Sequence, residues 1–182
     1  MRFRLANFFF CLSVVFGLGL FTVSVHAERA DKDKPIALSS DKAQFDDVKQ
    51  IYYLERNVLL IKGSLIIKGE KAEVKIDPEG YQYVTIFAKS GQLASLRQKR
   101  DTGFNDFIEG FAEFIEYDGK TDIAILHKQA RMNQISGTRV TDQLHGDKIH
   151  YDGNTEKYNV VSKASVKSTL SPRRKELTGP SK

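Results

Sequence analysis

The feature that most constrains this chain is a two-residue alternation. It is clearest in Lys71-Ala72-Glu73-Val74-Lys75-Ile76-Asp77, where charged and apolar residues take turns. Successive side chains of an extended strand leave opposite faces, whereas a helix places its apolar residues at three- and four-residue steps. The run therefore predicts a strand with one buried and one solvated face. The same period returns in Ile36 and Leu38, in Ala43 and Phe45, in Ile51, Tyr53 and Val58, and in Leu65 and Ile67. Turn formers separate the runs: Lys62-Gly63-Ser64, Asp77-Pro78-Glu79-Gly80, Lys89-Ser90-Gly91, Tyr117-Asp118-Gly119, Ser136-Gly137 and Tyr151-Asp152-Gly153-Asn154. Only residues 38–50 carry a weak helical signal, with Ser39 or Ser40 placed to cap a short turn. Short strands joined by such turns predict an all-β sandwich, roll or barrel.

Four segments also resemble one another: Ser40-Asp41-Lys42-Ala43-Gln44-Phe45, Gly69-Glu70-Lys71-Ala72-Glu73-Val74, Glu109-Gly110-Phe111-Ala112-Glu113-Phe114 and Gly146-Asp147-Lys148-Ile149-His150-Tyr151. Each has a small or acidic start, a central Ala or Ile, and an apolar residue two positions later. Their spacing is too uneven for a strict solenoid, and the repeat suggests similar β-layers with variable loops.

The N-terminus has its own layout. Arg2 and Arg4 precede an uncharged, mostly apolar stretch, 5–25, and Val25-His26-Ala27 fits a small-x-small cleavage pattern. Residues 1–27 read as a secretory signal peptide. The rival reading is a retained membrane anchor, for which the stretch is long enough; a mature start at Glu28 would separate the two. Residues 28–34 (ERADKDK) read as a flexible lead-in, 35–170 as one domain, and 171–182 as a disordered basic tail. The single cysteine, Cys11, leaves with the signal, so the exported chain has neither disulfide nor thiol chemistry.

The net charge of +5 resides at the ends. Setting aside Arg2 and Arg4, then Arg173, Arg174, Lys175, Lys182 and Glu176, leaves 22 basic and 22 acidic residues in the body. A nucleic-acid partner would need a basic face on that body. The local cluster Arg97-Lys99-Arg100 reads as a solvated turn, so no nucleic acid is expected.

Signals for catalysis are sparse. The sequence has no Gly-x-Ser-x-Gly, and its only Gly-x-Gly (Gly17, Gly19) lies in the signal. His145 and His150 differ by an odd number and would leave one strand on opposite faces. His127 has no ligand-like neighbour, so all three read as surface residues and no metal or cofactor is expected. Carboxylates alternate with apolar residues, as in Glu113-Phe114-Ile115-Glu116, which is the pattern of a solvated strand face. A carboxylate-dependent hydrolase stays open as a rival, because its acid pair can come from distant strands. The absence of tryptophan counts against sugar stacking. A binding protein, not an enzyme, is the expectation. Two splayed β-layers could hold long apolar chains at about 0.8 kcal/mol per buried methylene, while a filled core fits the same composition.

A resemblance separates these readings. Asp33-Lys34-Pro35-Ile36-Ala37-Leu38-Ser39-Ser40-Asp41, then Asn57-Val58, Gly63-Ser64-Leu65-Ile66-Ile67 and Ala72-Glu73-Val74, resemble the opening strands of the OstA/LptA family of periplasmic lipopolysaccharide-transport proteins. Glu109-Gly110-Phe111-Ala112 through Tyr117, and Gly146-Asp147-Lys148-Ile149-His150-Tyr151, resemble two later motifs of that family. The matches span most of 33–161. The sequence departs where Arg56 and Lys128 stand in the family's glycine places, which puts the local turn or bulge geometry in question.

The resemblance implies a twisted, open β-jelly roll with V-shaped antiparallel strands, head-to-tail self-association by strand addition, and no enzymatic activity. It implies lipopolysaccharide as cargo, its lipid A acyl chains in an apolar groove. It also implies an LptC-like inner-membrane protein at the N-terminal edge, an LptD-like outer-membrane protein at the C-terminal edge, and movement driven by an ATP-driven inner-membrane machine. The alternative is an LptC-like anchored component of the same pathway. Strand parity and the resemblance nominate Ile36, Leu38, Leu65, Ile67, Val74, Ile76, Leu96, Phe114 and Tyr117 as groove-lining residues.

Overall fold

The computed structural model describes residues 34–103 and 105–172. The expected signal peptide, most of the lead-in and most of the tail lie outside the described residues. Within them there are twelve strands and no helix: β1 (Ala37–Ser39), β2 (Lys42–Asp46), β3 (Ile51–Lys62), β4 (Leu65–Ile76), β5 (Gln82–Phe87), β6 (Ala94–Lys99), β7 (Asp106–Ala112), β8 (Phe114–Asp118), β9 (Ile123–Ser136), β10 (Arg139–Asp152), β11 (Lys157–Val161) and β12 (Lys167–Leu170). The stretch 38–50 is strand and turn rather than helix. Ser40 there donates to the Lys42 carbonyl at the β1–β2 junction instead of capping a helical turn.

Every pairing is antiparallel, and the strands form one sheet creased into two layers. The first layer runs β1-β3-β4-β6-β7-β9-β10-β12. The second runs β2-β3-β4-β5-β8-β9-β10-β11. Four long strands, β3, β4, β9 and β10, belong to both. Hairpin turns lie at the far rims of the layers, so the section is a V with its crease at one side and its mouth at the other. This is the jelly roll that the resemblance implies, within the all-β class that the alternation predicts.

The crease explains the internal repeat. The chain passes from the first layer to the second at Ser40-Asp41, Gly69-Glu70, Ala112-Glu113 and Gly146-Asp147, one crossing in each repeated segment. The repeat is thus a crossing unit rather than a stack of separate layers. Glycine is required where a neighbour passes close. A Cβ on Gly69 would come within 2.3 Å of Ile86 Cγ2 and 2.7 Å of the Phe87 carbonyl, and one on Gly146 within 2.6 Å of Val160 Cγ1.

Two return crossings depend on left-handed backbone. Arg56 and Asn57 have φ of 62° and 52°, and Lys128 and Gln129 of 61° and 49°. These bulges interrupt the β3–β4 and β9–β10 registers. Arg56 and Lys128, at positions where the resemblance implies glycine, thus adopt left-handed backbone themselves. A non-glycine residue pays about 1–2 kcal/mol there, against about 0.5–1 kcal/mol of added chain entropy for glycine. Lys128 gains little in return, since its ion pair with Glu113 (3.6 Å) is exposed. Lys128→Gly is accordingly expected to raise stability by about 0.5–1 kcal/mol, read as a higher urea midpoint at unchanged slope.

Between the layers, Val58, Leu60, Ile67, Val74, Ile86, Leu96, Ile108, Ile115, Leu126, Met132 and Ile149 are almost wholly buried. Each side chain of this size is worth about 1.5–3 kcal/mol when removed from water. This interior strip, running from β1 and β2 to β11 and β12, is the main cohesive element of the V.

Candidate functional site

The nominated residues fall on this strip with one exception. Leu65, Ile67, Val74, Leu96 and Tyr117 face the interior, each 3% exposed or less. Ile36 and Leu38 are half-buried and pack on the core from the β1 edge. Ile76 continues the inward set of β4 to the rim and is half-buried. Phe114 lies on the other face. The alternation that turns Tyr117 inward turns Phe114 outward, where its ring stacks on His127 at 4.4 Å and meets Phe87 at 5.8 Å. Leu65 and Ile67 are odd-numbered and Val74 and Ile76 even, yet all four point inward, because the β3–β4 register shifts at the crease between them.

The strip is open at its ends and shut along its mouth. At the N-terminal end Phe45 stacks on Tyr52 at 4.2 Å and is still 41% exposed. At the other end Leu170 of β12, on the same face as Leu144, is 72% exposed. No described strand pairs with the outer edges of β1, β2, β11 and β12. Along the mouth, by contrast, interior side chains meet one another and polar contacts join the two rims.

The first rim contact is made by Lys62, at the end of β3 in the first layer. Val58, Leu60 and Lys62 share one parity, so the lysine points inward among apolar residues and is buried. A buried ammonium needs partners. Its Nζ donates to Tyr117 Oη at 3.2 Å and to the Gly119 carbonyl at 3.1 Å on the second-layer rim, and Tyr117 Oη donates to Asp122 Oδ1 at 2.8 Å. The parity of Lys62 was a signal for this role, masked by the turn-like Lys62-Gly63-Ser64.

The second contact is made by Arg100, just past β6. Its Nε donates to Glu156 Oε2 at 3.1 Å and its Nη1 to Gln134 Oε1 at 3.0 Å, while Nη2 also reaches Glu156. The side chains of Arg100 and Glu156 are 15% and 21% exposed, so this is not a solvated turn. Burial works against the Arg100 charge, but the hydrogen bond and charge of Glu156 outweigh it and hold its pKa above the usual arginine range. Glu156 sits in the β10–β11 turn with φ of 52°, a turn pinned by Asp152 Oδ1 accepting from the backbone of Asn154 (2.9 Å) and Thr155 (3.1 Å). Burial pushes the Asp152 carboxyl up, and these hydrogen bonds outweigh it and hold it below the ordinary range.

The histidines lie on the outer faces. His127 shares a 2.7 Å hydrogen bond with Glu116, and His150 borders a 460 Å³ outer cleft with Glu73, Lys75, Tyr83, Glu116 and Ile125. Among the described residues, no three His, Cys, Asp or Glu side chains are grouped to hold a metal ion.

Residues 37–157 match the family described as LptA/(LptD N-terminal domain) LPS transport protein. The chain belongs to that family. Two relatives agree with it. One is the lipopolysaccharide export system protein LptA of Haemophilus influenzae, 25% identical over 151 residues, covering 82% of this chain and 84% of LptA. The other is the lipopolysaccharide export system protein LptH of Pseudomonas aeruginosa, 26% identical over 164 residues, covering 89% of each. The crystal structure of that LptH, the LptA-homologous periplasmic component of its transport device, superposes with a TM-score of 0.69 at 22% identity, over 78% of this chain and 99% of LptH. The shared fold of the LptA family thus includes the creased sheet. Arg56 and Lys128 have not cost the chain its bulges.

Proposed function

We propose that this chain is a periplasmic lipopolysaccharide carrier that passes its cargo along the interior strip, in head-to-tail assemblies bridging the inner and outer membranes. The observation that carries this reading is the strip itself: one apolar surface, continuous through both layers, with exposed apolar residues at its two ends. The relatives' roles in lipopolysaccharide export support the cargo class. Acyl chains take the place of water, and of neighbouring side chains, between the layers, and the phosphorylated sugars stay outside. A passive strip binds equally in both directions, so net movement is driven elsewhere. In this reading β1 and β2 meet the LptC-like partner and β11 and β12 the LptD-like one, by strand addition.

Photo-crosslinking in cells tests the route. Probes at Leu38, Leu96 and Tyr117 are expected to form lipopolysaccharide adducts, and probes at Lys71 and Glu73, whose side chains leave the outer face of β4, are not. Adducts from the outer positions alone would overturn it.

A further inference from the structure

The interior strip is inaccessible while the mouth is shut, and among the described residues polar contacts from Lys62 and Arg100 cross that mouth. We propose that the Arg100–Glu156 pair, together with the separate Lys62–Tyr117 contact, is a latch whose release admits cargo between the layers; this rests on the carrier reading above. The two rim contacts repeat one geometry. Lys62 and Arg100 come from first-layer rims, at the ends of β3 and β6. Their partners come from second-layer rims, the β8–β9 and β10–β11 turns. Each contact reaches toward the C-terminal end of the sheet by a similar number of strands, as two crossed layers require. Most of the buried interior side chains are apolar, Gln98 of β6 being an exception, and apolar contacts attract the layers without fixing their angle. A directional, charge-assisted pair does fix it.

The position also suits exchange. Arg100 borders a 560 Å³ cleft outside the mouth, lined by Arg139, Gln134 and Thr141 together with Asp106 and Asp142. When Glu156 lets go, Arg100 keeps Gln134 and gains room on the cleft side. Tyr117 belongs both to the strip and to the Lys62 contact, so displacing its ring to seat an alkyl chain disturbs that contact directly.

Two alanines on one strand make the test. Ala124 is buried near the second-layer rim, at the start of β9, and Ala130 is buried just past the crease. With Cys11 removed along with the signal, Ala124→Cys or Ala130→Cys gives a single thiol whose maleimide labelling, without any lipid, reports opening. Arg100→Ala and Glu156→Ala are each expected to speed labelling at 124 at least tenfold and at 130 less than twofold. The charge swap Arg100→Glu with Glu156→Arg is expected to restore slow labelling. Unchanged labelling at 124, or equal acceleration at both sites, which signals general loosening, would overturn the latch. A disulfide from Arg100→Cys with Glu156→Cys is expected to abolish the lipopolysaccharide adduct at Leu96 until it is reduced. Adducts that form equally in the locked and reduced protein would also overturn the latch, while leaving the carrier reading standing. Labelling that responds as expected in a protein giving no adduct in any state would sink the carrier reading instead.

Discussion

Phe45→Asp and Leu170→Asp are each expected to abolish self-association, and an equimolar mixture of the two is expected to restore it as far as a dimer. Phe45 and Leu170 mark opposite ends of the strip, and both are exposed in the single chain. If the C-terminal edge of one copy meets the N-terminal edge of the next, the contact is heterologous, and one damaged end per chain leaves each chain one sound end. The two sound ends then meet once and the assembly stops. Burying an unpaired carboxylate at such a joint costs several kcal/mol, which at 1.4 kcal/mol per tenfold amounts to a loss of at least a hundredfold in association. Light scattering over a range of concentrations reads all three samples. A mixture that stays monomeric, or single variants that still grow, would exclude end-to-end stacking. An isologous dimer through one edge would instead leave the variant altered at the other edge able to dimerise on its own.

The second large effect concerns the crease. Gly69→Val is expected to lower unfolding free energy by about 3 kcal/mol or more, since extra atoms forced into a packed interior cost about 1–3 kcal/mol even where side chains can shift. Here part of the obstacle is backbone: the Phe87 carbonyl lies 2.7 Å from where a Cβ would sit. Gly69→Ala is expected to show a smaller loss in the same direction. The urea midpoint reads both, and a valine variant as stable as the parent would mean that β5 yields at the crease. Domains of this kind hold about 5–15 kcal/mol in all, so the valine change removes a large part of it.

The sequence made the strands legible and their faces mostly so. Lys71 to Asp77 could only be a half-buried strand, and its apolar residues do point inward. The exception at Phe114 has a plain cause. Phe114 and Tyr117 lie on one uninterrupted strand three residues apart, and period two places them on opposite faces, so both cannot line the interior. The crease was present as four look-alike segments, but similarity along a chain does not say that the segments mark bends. Arg56 and Lys128 hid two more bends, because the glycine that would have marked left-handed backbone is absent there. The rim contacts were illegible for a different reason. Arg100 and Glu156 are joined across the mouth by a fold that brings distant turns together, and no local pattern encodes such a pairing.

A sheet shared by both layers, with β3, β4, β9 and β10 running unbroken from one to the other, behaves like a card scored along its length. Changing the angle of the fold turns the chain at the scored line and tears none of the ladders on either side. The angle of the fold is thus set by what packs and bonds between the layers, not by the ladders themselves. If copies stack edge to edge as proposed, neighbouring cards share their angle, and one copy spreading around a fatty tail would lower the work of spreading for the copy beside it.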